Sequence, residues 1–193
     1  MPRSKAFDPD TALRKAMQLF WRQGYEATTI DELVHAMAVN RASLYATFGD
    51  KRQLFRRALE RYFTAVLAPR LAALEEAPSP LEGLRGLLGE VVAFAAGDPQ
   101  RRGCLAVNTA CELAGHDAEV AALLKQRSEE LEHLLVRVIA RARDLGEIAS
   151  GRDPVPQARL LATVIDGLRV CSKRGAERAV LESIASAALA ALA

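Results

Sequence analysis

The amino-acid sequence predicts an all-α fold, and three features of its composition and pattern carry that prediction. Half of the 193 residues are hydrophobic but only 5% are aromatic, so the core must consist mainly of leucine, alanine and valine. Leucine and alanine favour helices, and β-branched residues form no long runs. Apolar residues recur at helical spacing along most of the chain, whereas no alternating strand pattern of useful length occurs.

The first predicted element is a capped amphipathic helix. Asp8 is its expected N-cap and Pro9 its first residue, a position that tolerates proline because no N–H is needed there. Gly24 ends the helix. The apolar face includes Phe20 and Trp21, which we expect to support the following helices from behind.

Two short helices with a very tight joint come next. The first begins after Thr29 and has apolar residues at i, i+3, i+4 and i+7 from Ile30. Thr29 and Glu32 form a capping-box pair. Asn40 is the expected N-cap of the second helix, which covers residues 41–48. Two helices joined in this way are typical of a helix-turn-helix.

The start of the second helix indicates DNA binding, because a recognition helix uses its N-terminal residues on base edges in the major groove. Those residues are Arg41, Ala42 and Ser43. Arg41 can reach a guanine or a phosphate, Ser43 can bond either, and the small Ala42 allows close approach. A helical hairpin with a cationic surface is the alternative interpretation.

Further side chains are suited to phosphate oxygens. Tyr45 and Thr47 carry hydroxyl groups. Gly49 ends the second helix and Asp50 caps the next one, so Lys51 lies at a helix N-terminus, where backbone N–H groups already favour a phosphate.

This region resembles the DNA-binding region of TetR-family transcriptional regulators. The resemblance covers about residues 12–62 and is most specific in the segment LYATFGDK, residues 44–51. It implies DNA contact by six residues: Thr29, Arg41, Ala42, Ser43, Tyr45 and Lys51. The family usually has glycine at position 38 and often at position 42. Ala38 is tolerated at little cost as long as its φ is negative.

The predicted organisation is a DNA-binding domain, a connecting helix and a second helical domain. The first domain covers residues 1–51, the connecting helix residues 52–75, and the second domain residues 76–193. Pro69 would bend or interrupt the connecting helix. The segment EEAPSP that follows is a surface loop. A strongly apolar, buried helix covers residues 81–96, and we expect Gly97-Asp98-Pro99 to start the next helix.

Three long helices close the chain. They are predicted from Asp117 to about Leu145, from Asp153 to Gly175, and over residues 176–192. The last one is apolar on much of its surface, and a second subunit is the natural cover for it. The resemblance implies the same arrangement, in which the last two helices pair with those of a second subunit. The dimer then presents two recognition helices to a palindrome.

The sequence also predicts a ligand pocket. Cys104, Asn108 and Cys111 have the spacing i, i+4, i+7 and therefore share one helix face. One amide and two thiols on an apolar face suit a cavity wall. The predicted pocket is mainly apolar, which favours a small hydrophobic effector, and eight residues line it: Leu88, Phe94, Cys104, Asn108, Cys111, Val164, Ile165 and Leu168.

Cys104 leaves an alternative open. It follows two arginines, and nearby cations favour the thiolate form of cysteine. The protein would then be a repressor of the same fold that senses electrophiles or oxidants. A buried cysteine that acts only as a small hydrophobe is the simpler interpretation. No metal site or cofactor is predicted, because the cysteines and histidines match no familiar zinc spacing.

The charge distribution fits a DNA-binding N-terminal region. The net charge is only +2, but residues 1–70 contain 12 Lys and Arg against 7 Asp and Glu. Residues 71–193 contain 14 against 17. The basic excess therefore lies with the helix pair. The basic arm at residues 2–5 is either disordered or in contact with DNA.

Several classes of protein are not expected. The three histidines are scattered and no glycine-rich phosphate loop occurs, so no enzyme is predicted. No apolar run approaches the roughly 18 residues that a membrane span needs. The chain lacks a hydrophobic signal region near its start, and its three cysteines suit a reducing compartment, so we expect a cytoplasmic protein.

The function predicted from the sequence is ligand-responsive regulation of transcription. We expect a homodimeric repressor that a small hydrophobic effector releases from a palindromic operator on double-stranded DNA. The thiol-sensing repressor is one alternative. A helical scaffold whose basic N-terminal region binds acidic proteins is an alternative of another class.

Overall fold

The computed structural model describes residues 7–149, 151 and 153–192, and the basic arm at residues 2–5 lies outside them. The described part contains ten α-helices, one π-helical turn and no strand, which confirms the all-α prediction. In chain order the elements are α1 (Pro9–Gln23), α2 (Ile30–Met37), α3 (Arg41–Phe48), α4 (Lys51–Tyr62), the π turn (Phe63–Leu67), α5 (Ala68–Glu76), α6 (Pro80–Gly97), α7 (Leu105–Leu113), α8 (Ala118–Asp144), α9 (Pro154–Lys173) and α10 (Arg178–Ala190).

Side-chain caps set the starts of the first helices, as predicted. The Asp8 carboxylate accepts the N–H groups of Asp10 and Thr11. At α2 the capping box is complete, because Thr29 Oγ1 accepts the N–H of Glu32 at 3.2 Å and the Glu32 carboxylate accepts the N–H of Thr29 at 2.8 Å. Each of these bonds satisfies a backbone group that the helix leaves unpaired.

Helices α1 to α4 pack into a compact unit, here called the head. The Phe20 ring meets the Phe55 ring edge-on, with 5.0 Å between centroids. Leu33 of α2 and Leu44 of α3 are both fully buried against this centre. Because each short helix contributes one apolar stripe to the same core, the tight joint between α2 and α3 is held from behind.

The remaining helices, α5 to α10, form a second unit, here called the body. One of these helices, α7, packs on the head. The body core joins α5, α6, α8, α9 and α10. Cys104, Leu105, Leu113 and Val120, from α7 and its flanks, are buried in the head core instead. Helix α7 therefore connects the two units through shared hydrophobic contacts.

The connecting segment is helical from residue 51 to residue 76, with a π turn in its middle. Pro69 lies just beyond that turn. Its ring would collide with the carbonyl of Ala65 in a regular α-helix. The wider turn relieves the conflict, and the N–H of Ala68 bonds to the carbonyl of Phe63 five residues earlier. The bend that the proline predicts therefore takes the form of a π turn.

The expectation that Gly97-Asp98-Pro99 starts a helix is wrong. Helix α6 ends at Gly97, and α7 begins only at Leu105. The Asp98 carboxylate accepts the N–H of Arg102 at 2.8 Å and pairs with its guanidinium at 3.0 Å. This local turn competes with helix formation, and Arg101 adopts a left-handed backbone with φ of 47°.

Ala38 does not keep the negative φ under which alanine is tolerated at little cost. Its φ is 57° and its ψ 45°, which is the left-handed region. Its N–H bonds to the carbonyl of His35 at 3.1 Å, and the N–H of Val39 bonds to the carbonyl of Val34 at 3.2 Å. These two hydrogen bonds cap the C-terminus of α2 and form the tight turn into α3. The strained backbone of Ala38 is a consequence of that turn.

Replacing Ala38 with glycine is expected to stabilise the protein. The left-handed conformation costs an L-residue roughly 1–2 kcal/mol, and the greater freedom of unfolded glycine offsets about 0.4–1 kcal/mol of that. We expect the free energy of unfolding to rise by about 0.5–1 kcal/mol. Urea unfolding followed by tryptophan fluorescence measures the change.

The same substitution inside α2 provides the control. Ala36 is helical, so Ala36→Gly should lower the free energy of unfolding by about 1 kcal/mol. Equal losses in the two variants would show that φ at position 38 does not matter for stability.

Candidate functional site

The exposed side of α3 carries the residues predicted to contact DNA. Leu44 and Phe48 point into the head core and fix the rotation of the helix. The opposite side of α3 therefore faces outward. Arg41, Ala42 and Tyr45 are exposed, and Ser43 and Thr47 are half-buried. The cap from Asn40 Oδ1 to the N–H of Ser43, at 2.7 Å, fixes the start of the helix.

Arg41 is held at the start of α3 by an ion pair. Its guanidinium donates to the carboxylate of Asp31, and both side chains are more than half exposed. The hydrogen bond that Arg41 donates to this carboxylate raises the pKa of Arg41, so the group stays cationic. An exposed pair of this kind is weak, and a base or a phosphate can replace Asp31.

Lys51 is the first residue of α4, at the end of the segment that follows α3. Its Nζ lies 4.3 Å from the centroid of the Tyr25 ring and 3.4 Å from the carbonyl oxygen of Glu26. Lys51 thus starts a helix, and a helix N-terminus favours a phosphate. Thr29 is exposed at the start of α2, but its hydroxyl already bonds to Glu32.

Glu112 is a functional candidate that the sequence did not indicate. From α7, its carboxylate accepts the N–H of Tyr25 at 3.0 Å and the N–H of Glu26 at 2.8 Å. Both belong to the loop between α1 and α2. Gly24 is needed beside it, because its φ is 85° and a Cβ there would lie 2.8 Å from Glu112 Oε2. The body therefore holds the loop that leads into the helix-turn-helix.

Two ion pairs add to this junction. Arg52 of α4 pairs with Asp117 at 3.0 Å, and Arg56 pairs with Glu119 at 2.9 Å. The hydrogen bond to Asp117 raises the pKa of Arg52. These bonds join the start of α8 to the helix that follows α3.

Cys104 also lies at the junction. It is 1% exposed, and its Sγ accepts hydrogen bonds from the Tyr62 hydroxyl at 3.3 Å and from Arg169 at 3.0 Å. Trp21 Nε1 donates to the carbonyl of the neighbouring Gly103 at 3.1 Å. Burial raises the pKa of Tyr62 well above its usual value, so this hydroxyl remains a donor.

A central cavity of about 450 Å³ lies between the π turn, α5, α7, α8 and α9. This volume is in the usual range of about 300–1,000 Å³ for small-molecule sites. Its walls are mainly apolar, and the larger apolar residues are Phe63, Leu67, Leu71, Leu124, Leu131 and Ile165. Ile165 is the one member of the predicted pocket set that borders this cavity.

A junction cavity, also of about 450 Å³, separates the end of α1 from α7 and α9. Cys104, Asn108 and Cys111 border it, as their shared helix face predicted. Asn108 accepts a hydrogen bond from Lys173 at 3.0 Å and donates one to the carbonyl of Arg102 at 2.8 Å.

The eight residues predicted to line one pocket are therefore divided. Leu88 and Leu168 are buried in the body core, and Val164 packs against that core. Phe94 stacks on Trp21, with 5.5 Å between ring centroids. Helix α7 lies between the two cavities, so residues on its two sides border different cavities. Its alanine-rich side faces the central cavity and its cysteine-bearing side faces the other.

The described residues also bear on metal binding and on membrane insertion. Among residues 7–149, 151 and 153–192, no three His, Cys, Asp or Glu side chains are placed to hold a metal ion. None of the helices described there has the length and hydrophobicity to cross a bilayer.

Two family models match the chain. The model of bacterial regulatory proteins of the tetR family matches residues 12–58, and the model of the tetracyclin repressor-like C-terminal domain matches residues 80–188. The first range contains the helix-turn-helix, and the second contains most of the body and α7. The two units of the structure thus each resemble a unit of known regulators.

Individual proteins show the same similarity. The HTH-type transcriptional repressor ComR of Escherichia coli K12 is 33% identical over 188 residues, covering 97% of this chain and 90% of ComR. The uncharacterized HTH-type transcriptional regulator YezE of Bacillus subtilis is 36% identical over 154 residues, covering 79% and 78%. A cysteine variant of the TetR family regulator CifR, solved with 26-bp double-strand operator DNA, has a TM-score of 0.87 and 37% identity over 100% of both chains.

These similarities cover both units of the chain and agree with the geometry of α2 and α3. The matched family consists of DNA-binding regulators and not of enzymes. A relative that is 33% identical covers nearly the whole chain, and one of the family models matches more than half of it. The chain belongs to the TetR family of bacterial transcriptional regulators.

Proposed function

We propose that the protein is a homodimeric repressor that binds a palindromic operator through two copies of α3. A small effector with an apolar body, bound in the central cavity, releases it from the DNA. The observation that carries this proposal is the position of α7. It lines the central cavity and also holds the head, through Glu112 and through its part in the head core.

The surface of α9 supports the dimer. Leu160, Thr163, Gly167 and Val170 are exposed and have the spacing i, i+3, i+7, i+10, which forms one stripe along the helix. Leu160 and Val170 are 44% and 41% exposed, and Val180 of α10 is 50% exposed. A second copy of the same stripe would cover these apolar side chains, as in helix-pair interfaces.

The proposed mechanism is a shift between two conformations. In the first conformation, the spacing of the two heads fits the operator. A ligand that binds the second conformation more tightly therefore lowers the affinity for DNA. A coupling free energy of about 1–3 kcal/mol between the two sites is ordinary. The contacts of α7 and α8 with the head supply a direct route for it. CifR bound to operator DNA is a relative with the same fold in the DNA-bound form.

The thiol-sensing alternative receives less support from the geometry. Cys104 is almost fully buried, so an oxidant would reach it only after the junction opens. Cys111 is exposed and borders the same junction cavity, about two helical turns along α7 from Cys104. The proposal therefore assigns effector recognition to the cavity and not to a thiol.

Selection of binding sites from a random duplex pool at moderate salt tests the DNA-binding part. We expect a palindrome whose half-site centres are roughly 34–36 Å apart or a multiple of it. Recovery of no sequence above background from well-folded protein would contradict the proposal and favour a scaffold that binds acidic partners.

Lys51→Ala is expected to weaken binding to the operator and to unrelated duplexes by a similar factor. Phosphates carry no sequence information, so specificity should be unchanged. The slope of log affinity against log salt should fall by about two, one for each subunit of the dimer. Fluorescence anisotropy at four salt concentrations measures it. Lys51→Arg keeps the charge and should keep most of the slope, and a specificity change in Lys51→Ala would assign Lys51 to a base.

A further inference from the structure

Arg169 is the residue on which the cavities converge. It lies on α9, its side chain is only 17% exposed, and it borders both the central cavity and the junction cavity. Within the described residues its guanidinium makes one hydrogen bond, to Cys104 Sγ at 3.0 Å. The nearest carboxylate oxygen, of Asp166, is 4.0 Å away, and that side chain is 59% exposed. A guanidinium has five N–H donors, so Arg169 has capacity for a further acceptor.

The other arginines of the central cavity already have such acceptors. Arg127 donates to the Glu130 carboxylate at 2.7 Å and lies over the Phe63 ring at 5.4 Å from its centroid. Arg70 donates to the Glu90 carboxylate at 3.1 Å and to a backbone carbonyl at 2.7 Å. Lys125, which also borders the cavity, is 77% exposed and pairs with Glu129 at 3.7 Å. Among the described arginines that border the central cavity, Arg169 is therefore the one without a carboxylate within hydrogen-bond distance. A buried cation of this kind is stabilised by a hydrogen-bonded anion.

Most of the remaining cavity wall is apolar. Leucines of α5, α6 and α8 and a series of alanines on α7 and α8 surround the space in front of Arg169. The site thus combines an arginine that lacks a hydrogen-bonded carboxylate with a large apolar surface. Those two features together define the chemistry of a ligand that would fill it.

We infer that the effector is a monoanionic amphipathic molecule, with its carboxylate bound to Arg169 and its apolar body in the central cavity. The inference rests on the proposed effector cavity and adds the charge of the ligand and the residue that recognises it. A carboxylate suits the guanidinium because it accepts two parallel N–H bonds. A neutral molecule of the same size and hydrophobicity lacks this interaction.

The binding of a carboxylate at Arg169 also affects the link to the head. The new acceptor competes with Cys104 Sγ for the guanidinium. The same sulfur accepts the hydroxyl of Tyr62, which belongs to α4 of the head. The neighbouring Gly103 accepts Trp21 Nε1 of α1. A ligand at Arg169 therefore acts on the hydrogen bonds that connect the start of α7 to two helices of the head.

Calorimetric titration of the full chain with octanoate and with 1-octanol tests the inference, because the two probes share their tail and differ in the head group. We expect wild-type protein to bind octanoate at least about 10-fold more tightly than octanol, as hydrogen bonds to charged groups predict. Trp21 is the sole tryptophan and lies beside the junction cavity, so its fluorescence gives a second readout.

Three variants assign the effect. Arg169→Gln should reduce the preference for octanoate to less than about 2-fold, whereas Arg169→Lys should keep part of it. Arg70→Gln removes a cavity arginine that is already paired with the Glu90 carboxylate and a backbone carbonyl, and it should keep the preference. Circular dichroism melting verifies that each variant is folded. Equal affinity of the wild-type protein for the two probes, no binding of either, or an unchanged preference in folded Arg169→Gln would overturn the inference.

The outcome of this titration can be distinguished from the outcome of the operator selection. An operator recovered by a protein that does not distinguish the probes would remove the inference and leave the repressor in place. Octanoate selectivity that depends on Arg169, in a protein that selects no operator, would support the ligand inference and contradict the proposed function.

Discussion

Replacing Arg41 with alanine is expected to lower the affinity for the operator about 100-fold, since each bidentate arginine–guanine contact is worth roughly 10-fold and a dimer makes two. Affinity for an unrelated duplex should change less than about 3-fold, because nonspecific binding depends on many phosphate contacts. Arg41 is exposed and lies at the start of α3, so its loss leaves the head core intact.

Anisotropy titration of both duplexes at one salt concentration measures this difference. Arg85→Ala is the matched control, since it removes an exposed arginine from α6 of the body. The control should leave both affinities within about 2-fold. If Arg41→Ala weakens both duplexes equally, the residue binds a phosphate and sequence reading must come from Ser43 or Tyr45.

Leu105→Ala is expected to lower the free energy of unfolding by about 2–5 kcal/mol, the usual cost of truncating a buried leucine. Leu105 is 1% exposed and packs in the head core, although it lies in α7. The truncation should therefore destabilise the head as well as the body. Trp21 is in the same core, so urea unfolding followed by tryptophan fluorescence reports on the affected region.

Leu145→Ala is the control for this truncation. Leu145 is 59% exposed at the end of α8, so the same chemical change should cost less than about 0.5 kcal/mol. Both variants must be compared at one protein concentration, because a dimer's apparent stability depends on it. A loss below about 1 kcal/mol in Leu105→Ala would show that α7 contributes little to the head core.

The two predictions concern different parts of the same coupling. Arg41 is predicted to read the DNA, and Leu105 belongs to the segment that joins the head to the body. If α7 carries the effector response, Leu105→Ala should also weaken the effect of octanoate on operator affinity. Arg41→Ala should leave octanoate binding unchanged, because the residue lies in the head and outside both cavities.

Local features of the chain predicted the elements of the fold and the DNA-contacting side of α3. The caps at Asp8, Thr29 and Asn40 act within three residues, and the apolar stripes repeat within four. Such interactions are visible in a sequence because both partners lie in the same short segment. The segment LYATFGDK indicated the family, which the comparisons confirm.

The tertiary structure alone decided how the body is joined to the head and where the cavities lie. Glu112 bonds to Tyr25, 87 positions away, and no periodicity relates the two. The predicted pocket set was divided because helix periodicity indicates which residues share a face, but not which neighbour that face meets. Arg169 and Cys104 are 65 positions apart and meet only through the packing of distant segments. Contacts between distant segments depend on the packing of whole helices, and so the proposed ligand cavity followed from the tertiary structure, while the helix predicted to read DNA followed from the sequence.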